Sequence, residues 1–194
     1  MKYCWPNWGG AACRSLPIPE GVSYNSYVLL DEKTVLFDTV DFEFAPYFLD
    51  NLDHVLNGRP LDYIIINHWE PDHASTFQEV ILRHPEATVI STEKGFYFMT
   101  QFNYHCEKRI TVGTGDTFSS GKHNFAFVQM PMVHWPEPMA TLDTTNGVPG
   151  AMPLSRSPFA GSYSLPQPLQ TWIPDFVRGS CGTLRFFFSK SCAG

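Results

Sequence analysis

The sequence predicts an α/β layered fold, in which helices cover the faces of a sheet. Two observations lead to this prediction. Short apolar segments typical of strands recur along residues 21–147, and segments with apolar residues at helical spacing lie between several of them. Turns rich in Gly, Pro and Asp separate these segments. A chain whose strands alternate with helices places its sheet against helical layers.

The predicted elements follow one another from Gly21 onward. Two strands, 26–30 and 34–38, surround a turn, and a helix over 44–56 ends before Gly58 and Pro60. Ser75 is predicted to begin a helix that runs to Arg83, with Gln78 as its capping-box partner. The other predicted strands are 61–66, 87–91, 109–112, 123–129 and 139–143, and a further helix is predicted over 93–102.

The chain divides into three segments of different character. Residues 1–20 keep neither a strand nor a helix period and are predicted to be irregular, whereas 21–147 are predicted to form one domain. Residues 148–194 contain one acidic side chain, Asp175, and many Pro and Ser residues. Because such a segment cannot bury enough apolar surface to offset its chain entropy, we predict an irregular tail. We hypothesise that the coding sequence leaves its frame near Gly147.

The net charge, the lengths of the apolar runs and the spacing of the cysteines exclude several classes of protein. The formal net charge of -6 gives no general attraction to nucleic acid or to an anionic membrane. No apolar run is long enough to span a bilayer, and the N-terminus lacks the apolar stretch of a secretion signal. The five cysteines are widely spread with no CxxC spacing, which indicates free thiols rather than disulfides or a thiolate zinc site. A cytoplasmic protein is therefore expected.

Four metal-binding side chains lie within six residues, directly after the apolar strand 61–66. They are His68, Glu70, Asp72 and His73. Mixed imidazole and carboxylate ligands suit iron, manganese or zinc. In an extended loop alternate side chains point the same way, so His68 and Glu70 can share one ion while Asp72 and His73 reach a second. His134, on a later strand-end loop, is the candidate for a remote partner.

These motifs resemble those of the flavodiiron proteins, also called A-type flavoproteins. The resemblance covers about residues 17–147 and rests on H-x-E-x-D-H at 68–73, on P-M-V-H-W-P at 131–136, and on the segments 21–27, 36–40 and 114–117. It implies an N-terminal diiron domain with a metallo-β-lactamase-like αββα sandwich, incomplete in this chain. The ordinary metallo-β-lactamase motif has His where this chain has Glu70, and that harder, anionic ligand favours iron over zinc.

The resemblance also implies which residues hold the metal. His68, Glu70 and His134 would hold one iron, and Asp72 with His73 would hold the other. The expected cofactor is therefore iron in a non-haem diiron site.

An oxidoreductase activity follows from the same resemblance: reduction of oxygen to water, or of nitric oxide to nitrous oxide. In full-length relatives the electrons come from FMN, often by way of a rubredoxin-like donor, and the protein is a homodimer. This chain departs from that pattern after Leu142, since no bridging carboxylate, no last histidine ligand and no FMN-binding domain can be found in its sequence. We therefore expect no FMN site and a fragment with impaired activity.

Two alternatives remain open at this point. The chain can be a metallo-β-lactamase-type hydrolase, in which a metal-bound water attacks an ester or a phosphodiester. It can also be a non-enzymatic fragment that binds metal poorly or not at all.

Overall fold

The computed structural model describes residues 23–145, 150–152 and 183–189. The segment 1–20 and most of the segment 148–194, both predicted to be irregular, lie outside the described residues. Within the described residues no helix combines the length and the apolar character that crossing a bilayer requires.

The first sheet contains six strands in the spatial order β10-β1-β2-β3-β4-β5. They are β1 (Ser23–Leu30), β2 (Thr34–Phe37), β3 (Tyr63–Ile65), β4 (Thr88–Ser91), β5 (Arg109–Thr111) and β10 (Thr183–Ser189). β1 pairs antiparallel with β10 and β2, whereas β2 to β5 are parallel to their neighbours. Parallel pairing needs a long crossover, and helices fill each of the three crossovers.

Four helices form these crossovers. They are α1 (Ala45–Leu56), which follows a 3₁₀ turn at Phe42–Phe44, then α2 (Pro71–Ala74), α3 (Phe77–Arg83) and α4 (Glu93–Gln101). α1 ends where Asn57 takes the left-handed conformation, with φ 45. Thr92 is the N-cap of α4, and its hydroxyl accepts a hydrogen bond from the Gly95 N–H at 2.9 Å.

The second sheet is antiparallel, with the order β6-β7-β8-β9. Its strands are β6 (Thr117–Ser119), β7 (Asn124–Gln129), β8 (Met139–Asp143) and β9 (Gly150–Met152).

β2 separates the two parts of the hydrophobic core, because all four of its residues are buried. Leu36 packs on the helical side in one cluster with Phe48, whereas Val35 and Phe37 face the second sheet in another cluster with Phe127. Successive strand residues point to opposite faces, which explains this division. All four described helices contribute to the first cluster and none to the second, so the described layers are helix, sheet and sheet.

The predicted alternation of strands and helices over 26–143 is confirmed, but the predicted capping box is wrong. Ser75 is not an N-cap, since α2 begins at Pro71 and the Ser75 N–H already bonds to the Pro71 carbonyl at 2.9 Å. α3 is preceded by Thr76, which makes no side-chain cap bond. The Ser75 hydroxyl instead accepts the Phe42 N–H at 2.7 Å, and the Gln78 amide oxygen accepts a backbone N–H from a distant loop at 2.8 Å.

The segment 148–194 is also less irregular than predicted. β9 and β10 both lie within it, and β10 pairs with β1 over seven residues, from Ser23↔Ser189 to Leu29↔Thr183. The reason is that an edge strand leaves a row of backbone donors and acceptors unpaired. A short apolar run such as 184–188 can satisfy that edge even though its surroundings keep no period.

Candidate metal centre

Two loops bring His68, Glu70 and His134 together at one end of the sheets. The first loop follows β3, and the second, residues 130–138, connects β7 to β8. Glu70 Oε2 lies 3.0 Å from His68 Nε2 and 2.7 Å from His134 Nε2, and the two ring nitrogens are 3.3 Å apart. The predicted convergence of the two loops is therefore confirmed, while metal binding by these residues remains a prediction.

This group of three is open to solvent on one side. The side chain of His68 is 3% exposed, that of Glu70 28% and that of His134 47%. Two imidazoles and one carboxylate that approach a common point, with access from outside, are the donor types of the 2-His-1-carboxylate set, which in other proteins binds divalent iron and leaves positions open. In the part of the chain that the structure describes, no other set of three or more His, Cys, Asp or Glu side chains converges in this way.

The charges in this group depend on one another. Burial lowers the pKa of His68, but hydrogen bonds and charge from Glu137 and Glu70 outweigh that effect and raise it to about 9. Burial raises the pKa of Glu70, yet the hydrogen bond and charge from His68, with the charge of His134, hold it below its ordinary value. Glu137 and Glu70 therefore stabilise positive charge on the His68 ring.

Asp72 and His73 lie beside this group, on α2 rather than on an extended loop as predicted. The helical turn places the two side chains side by side, with His73 Nε2 3.6 Å from Asp72 Oδ2, and the rings of His73 and His68 have centroids 5.4 Å apart. Burial raises the pKa of Asp72. Asp72 Oδ1 and both ring nitrogens of His73 are buried with no hydrogen-bond partner among the described residues. A bound ion, a ligand or an ordered water is one of the ways in which buried donors and acceptors of this kind are satisfied.

Asp38 contacts both the loop that carries His68 and the ring of His73. It is fully buried at the end of β2, in the left-handed conformation with φ 51, and its Oδ1 accepts the Asn67 N–H at 2.7 Å. Its other oxygen lies 3.7 Å from His73 Nδ1. Asp38 therefore fixes the start of the loop that carries His68 and lies against the ring of His73.

Sequence reasoning missed Glu137. Its side chain is 0% exposed, and its Oε1 accepts the Trp69 N–H at 3.1 Å and lies 2.6 Å from His68 Nδ1. One signal could have revealed it: an acidic residue between two prolines, three residues after His134, in a loop already suspected of facing the site.

The second candidate ion has fewer donors than the first. Among the described residues no third converging donor joins Asp72 and His73, and none links that pair to His68. Asp143, the acidic residue at the end of β8, instead lies 3.0 Å from His123 Nδ1. The described residues thus offer three converging donors for one ion and an incomplete set for a second.

Comparison with known families gives one match over most of the chain. The model of the metallo-beta-lactamase superfamily matches residues 19–157. Similar curated proteins include the anaerobic nitric oxide reductase flavorubredoxins of Pectobacterium carotovorum, 40% identical over 131 residues, and Klebsiella pneumoniae, 39% identical over 135 residues. These alignments cover 66% of this chain but only 26% and 27% of the relatives, so the chain spans about a quarter of their length.

Solved structures agree with that match. The rubredoxin oxygen:oxidoreductase of Desulfovibrio gigas is 32% identical with a TM-score of 0.61, and a flavoprotein of Thermotoga maritima is 31% identical with a TM-score of 0.61. Both superpositions cover 65% of this chain and 32% of the other. The predicted resemblance and the predicted fold class are confirmed by these comparisons.

Proposed function

The chain belongs to the metallo-beta-lactamase superfamily, and from that premise we propose that it is the metal-binding part of a flavodiiron-type oxidoreductase. The proposed reaction is reduction of oxygen to water or of nitric oxide to nitrous oxide at non-haem iron. The observation that carries the proposal is the meeting of His68, Glu70 and His134 within 4.8 Å of one another from loops more than sixty residues apart. The names of the similar proteins, a nitric oxide reductase and an oxygen oxidoreductase, support the same reaction class.

Glu70 favours reduction of a small molecule at bound iron over metal-dependent hydrolysis. A carboxylate among the ligands makes the set harder and more anionic, and such sets with open positions are typical of iron that activates small molecules. Bound iron would supply open coordination positions for a diatomic substrate and would pass to it electrons from an external donor. The ordinary hydrolase motif of the same superfamily has His where this chain has Glu70, so the ligand set differs from that of its zinc hydrolases.

Backbone strain in the second loop supports a functional role. Met132 and His134 both have left-handed φ values, 64 and 63, although neither is a glycine. Such conformations cost on the order of 1–3 kcal/mol each and persist where the surroundings demand them. This loop also packs Trp135 edge-on against His68, with centroids 5.3 Å apart. The unfavourable backbone conformation places His134 beside Glu70 and Trp135 against the His68 ring.

Three further roles belong to the proposal. Asp72 and His73 would hold a second iron when further donors complete that set. Electrons would come from an FMN or rubredoxin-type centre outside the described residues. The protein would act in the cytoplasm, as part of a homodimer. Turnover by this polypeptide alone is expected to be impaired, because the described residues supply no carboxylate that bridges the two sets.

Metal analysis of the purified protein tests the proposal. We expect iron bound at one ion per chain or more after anaerobic loading with Fe²⁺, and its loss in the variants Glu70→Ala and His134→Ala. His105→Ala is the matched control, since that imidazole is exposed and lies outside the group. Stoichiometric zinc together with hydrolysis of a nitrophenyl ester or phosphodiester would favour the hydrolase. No bound metal, or iron retained by both variants, would contradict the proposal.

A further inference from the structure

His68 is held at both ring nitrogens by acidic side chains. Nδ1 lies 2.6 Å from Glu137 Oε1, and Nε2 lies 3.0 Å from Glu70 Oε2. A neutral imidazole carries only one proton, so the two carboxylates compete for it. If the proton lies on Nε2, the nitrogen that faces His134 has no lone pair for a metal ion. If it lies on Nδ1, that lone pair is free.

The geometry favours Glu137 in this competition. Its contact with the ring is shorter than that of Glu70 by 0.4 Å, from the two distances 2.6 and 3.0 Å. Glu137 is also completely buried, whereas Glu70 is partly exposed and shared with His134. A hydrogen bond to an ionised acceptor is stronger where water is excluded.

The position of Glu137 is fixed by the loop that also supplies His134. That loop closes on itself through the Met130 N–H, which bonds to the Pro138 carbonyl at 2.8 Å. The Thr92 hydroxyl bonds to the carbonyl of Glu137 at 3.3 Å. One short loop therefore reaches His68 from two sides, with His134 near Nε2 and Glu137 at Nδ1.

A buried carboxylate without a partner would be strongly destabilising. Glu137 forms no ion pair with Lys or Arg among the described residues, and its partners are the His68 ring and the Trp69 N–H. A carbonyl oxygen could accept the same hydrogens without the cost of burying a charge. A carboxyl group at this point is explained when His68 must donate from Nδ1 and bind a cation through Nε2.

We propose that Glu137 is a positioning residue, which accepts the Nδ1 proton of His68 and so leaves Nε2 as the nitrogen that gives up its proton and binds the metal. The inference rests on the proposed function in one respect, the binding of a metal at His68, Glu70 and His134. Beyond that function, the inference identifies Glu137 as the residue that determines which ring nitrogen of His68 binds the metal. Without Glu137, the remaining carboxylate beside the ring is Glu70, which would draw the proton to Nε2.

Two measurements on Glu137→Gln test the proposal. The first is the affinity for Zn²⁺ alone, measured by competition with a chromophoric chelator. We expect it to weaken by roughly 10–100-fold, the usual effect of losing an outer carboxylate of a metal-binding histidine. The second is the ring ¹⁵N spectrum of His68 in the metal-free protein, recorded at an alkaline pH at which the ring is neutral. We expect the proton on Nδ1 in the wild type and on Nε2 in the variant.

Asp31→Asn is the matched control, because it also removes a buried carboxylate that accepts backbone hydrogen bonds, remote from His68. It should leave both readouts unchanged. Zn²⁺ affinity within twofold of the wild type in Glu137→Gln would overturn the inference. If that variant does not fold, the wild-type spectrum alone decides, since a proton on Nε2 there would also overturn it. Failure of the wild type to bind Zn²⁺ or Fe²⁺ would contradict the proposed function, whereas the spectrum would still report on Glu137.

Discussion

Gly95 lies so close to Trp69 that a methyl group would not fit between them. A Cβ atom built on Gly95 would lie 2.7 Å from the indole Nε1 and 3.0 Å from Cδ1, and it would also overlap the Ser91 hydroxyl. The indole N–H donates to that hydroxyl at 3.0 Å. Trp69 lies between His68 and Glu70 in the chain. The contact with Gly95 therefore packs α4 against the loop that carries both candidate ligands.

Gly95→Ala is therefore expected to destabilise the protein, although alanine favours a helix over glycine by about 1 kcal/mol. Overpacking costs about 1–3 kcal/mol and the indole hydrogen bond about 1 kcal/mol, so we expect a net loss of roughly 1–3 kcal/mol in the free energy of unfolding. Urea denaturation measures it. Gly113→Ala is the control, since its nearest neighbour would be 3.8 Å away. Equal stability of the two variants would show that the Trp69 contact does not constrain α4.

Asp31 provides a pH-dependent contribution to stability. Burial raises its pKa, but hydrogen bonds from the Ser120 hydroxyl and from the N–H groups of His123, Glu32 and Lys122 outweigh that effect and hold the pKa below 3.8. A carboxyl group with a lowered pKa stabilises the folded protein above its unfolded pKa, and this contribution is lost as the pH falls through the folded value.

Asp31→Asn should therefore lower the free energy of unfolding by roughly 1–3 kcal/mol at about pH 7, because charged hydrogen bonds are lost. The difference from the wild type should stay constant down to about pH 5 and shrink below 3.8. Asp53→Asn is the control, since its ion pair with Arg83 is exposed and is worth about 0–1 kcal/mol. A difference for Asp31→Asn that grows on acidification would contradict the lowered pKa.

His134→Ala should remove metal binding without unfolding the protein. The imidazole is half exposed, so little packing is lost, but at φ 63 alanine is less favourable than histidine, and we expect a loss of about 1 kcal/mol. Loss of a direct ligand should weaken Fe²⁺ or Zn²⁺ affinity by more than about 100-fold, beyond the usual effect of an outer residue. Chelator competition and thermal unfolding of the same sample separate the two effects. An unfolded variant would mean that this loop is needed for the fold rather than for the metal.

Phe127→Ala tests the core between the two sheets. The ring is 0% exposed and lies in the cluster that β2 and β7 share. Removing a buried aromatic ring usually costs about 3–5 kcal/mol, a large part of the stability of a domain of this size. Leu82→Ala, at a side chain that is 73% exposed, should change the free energy by less than about 0.5 kcal/mol. Similar losses for both would show that the sheets do not pack as described.

The strands at the centre of the first sheet could be predicted because their signal is local. β3 and β4 are short apolar runs buried on both faces, and each is followed by a helical pattern or a turn. His68 and Glu70 could likewise be recognised from their position after β3. Their meeting with His134 was predicted only as a convergence of strand ends, and the distances depend on how the second sheet stacks on the first.

Features that depend on tertiary contact could not be predicted from local patterns. α2 has four residues, too few for a period, and it converts the expected extended loop into a helical turn. β10 pairs with β1, which lies more than 150 residues away in the sequence, so no local turn motif predicts this pairing. Glu137 looks like a surface acid in the sequence, and only the folded loop shows that it lies against His68.

Among the described strands, β5 forms one outer border of the first sheet, opposite β10. Its three residues are all exposed, including the apolar Ile110. The guanidinium group of Arg109 lies 5.7 Å from the centre of the Phe96 ring and so rests along this border. A short strand that carries a fixed cation is a poor template for a second chain. Replacing Arg109 by a neutral residue would therefore remove a charge that opposes pairing of β5 with a second chain.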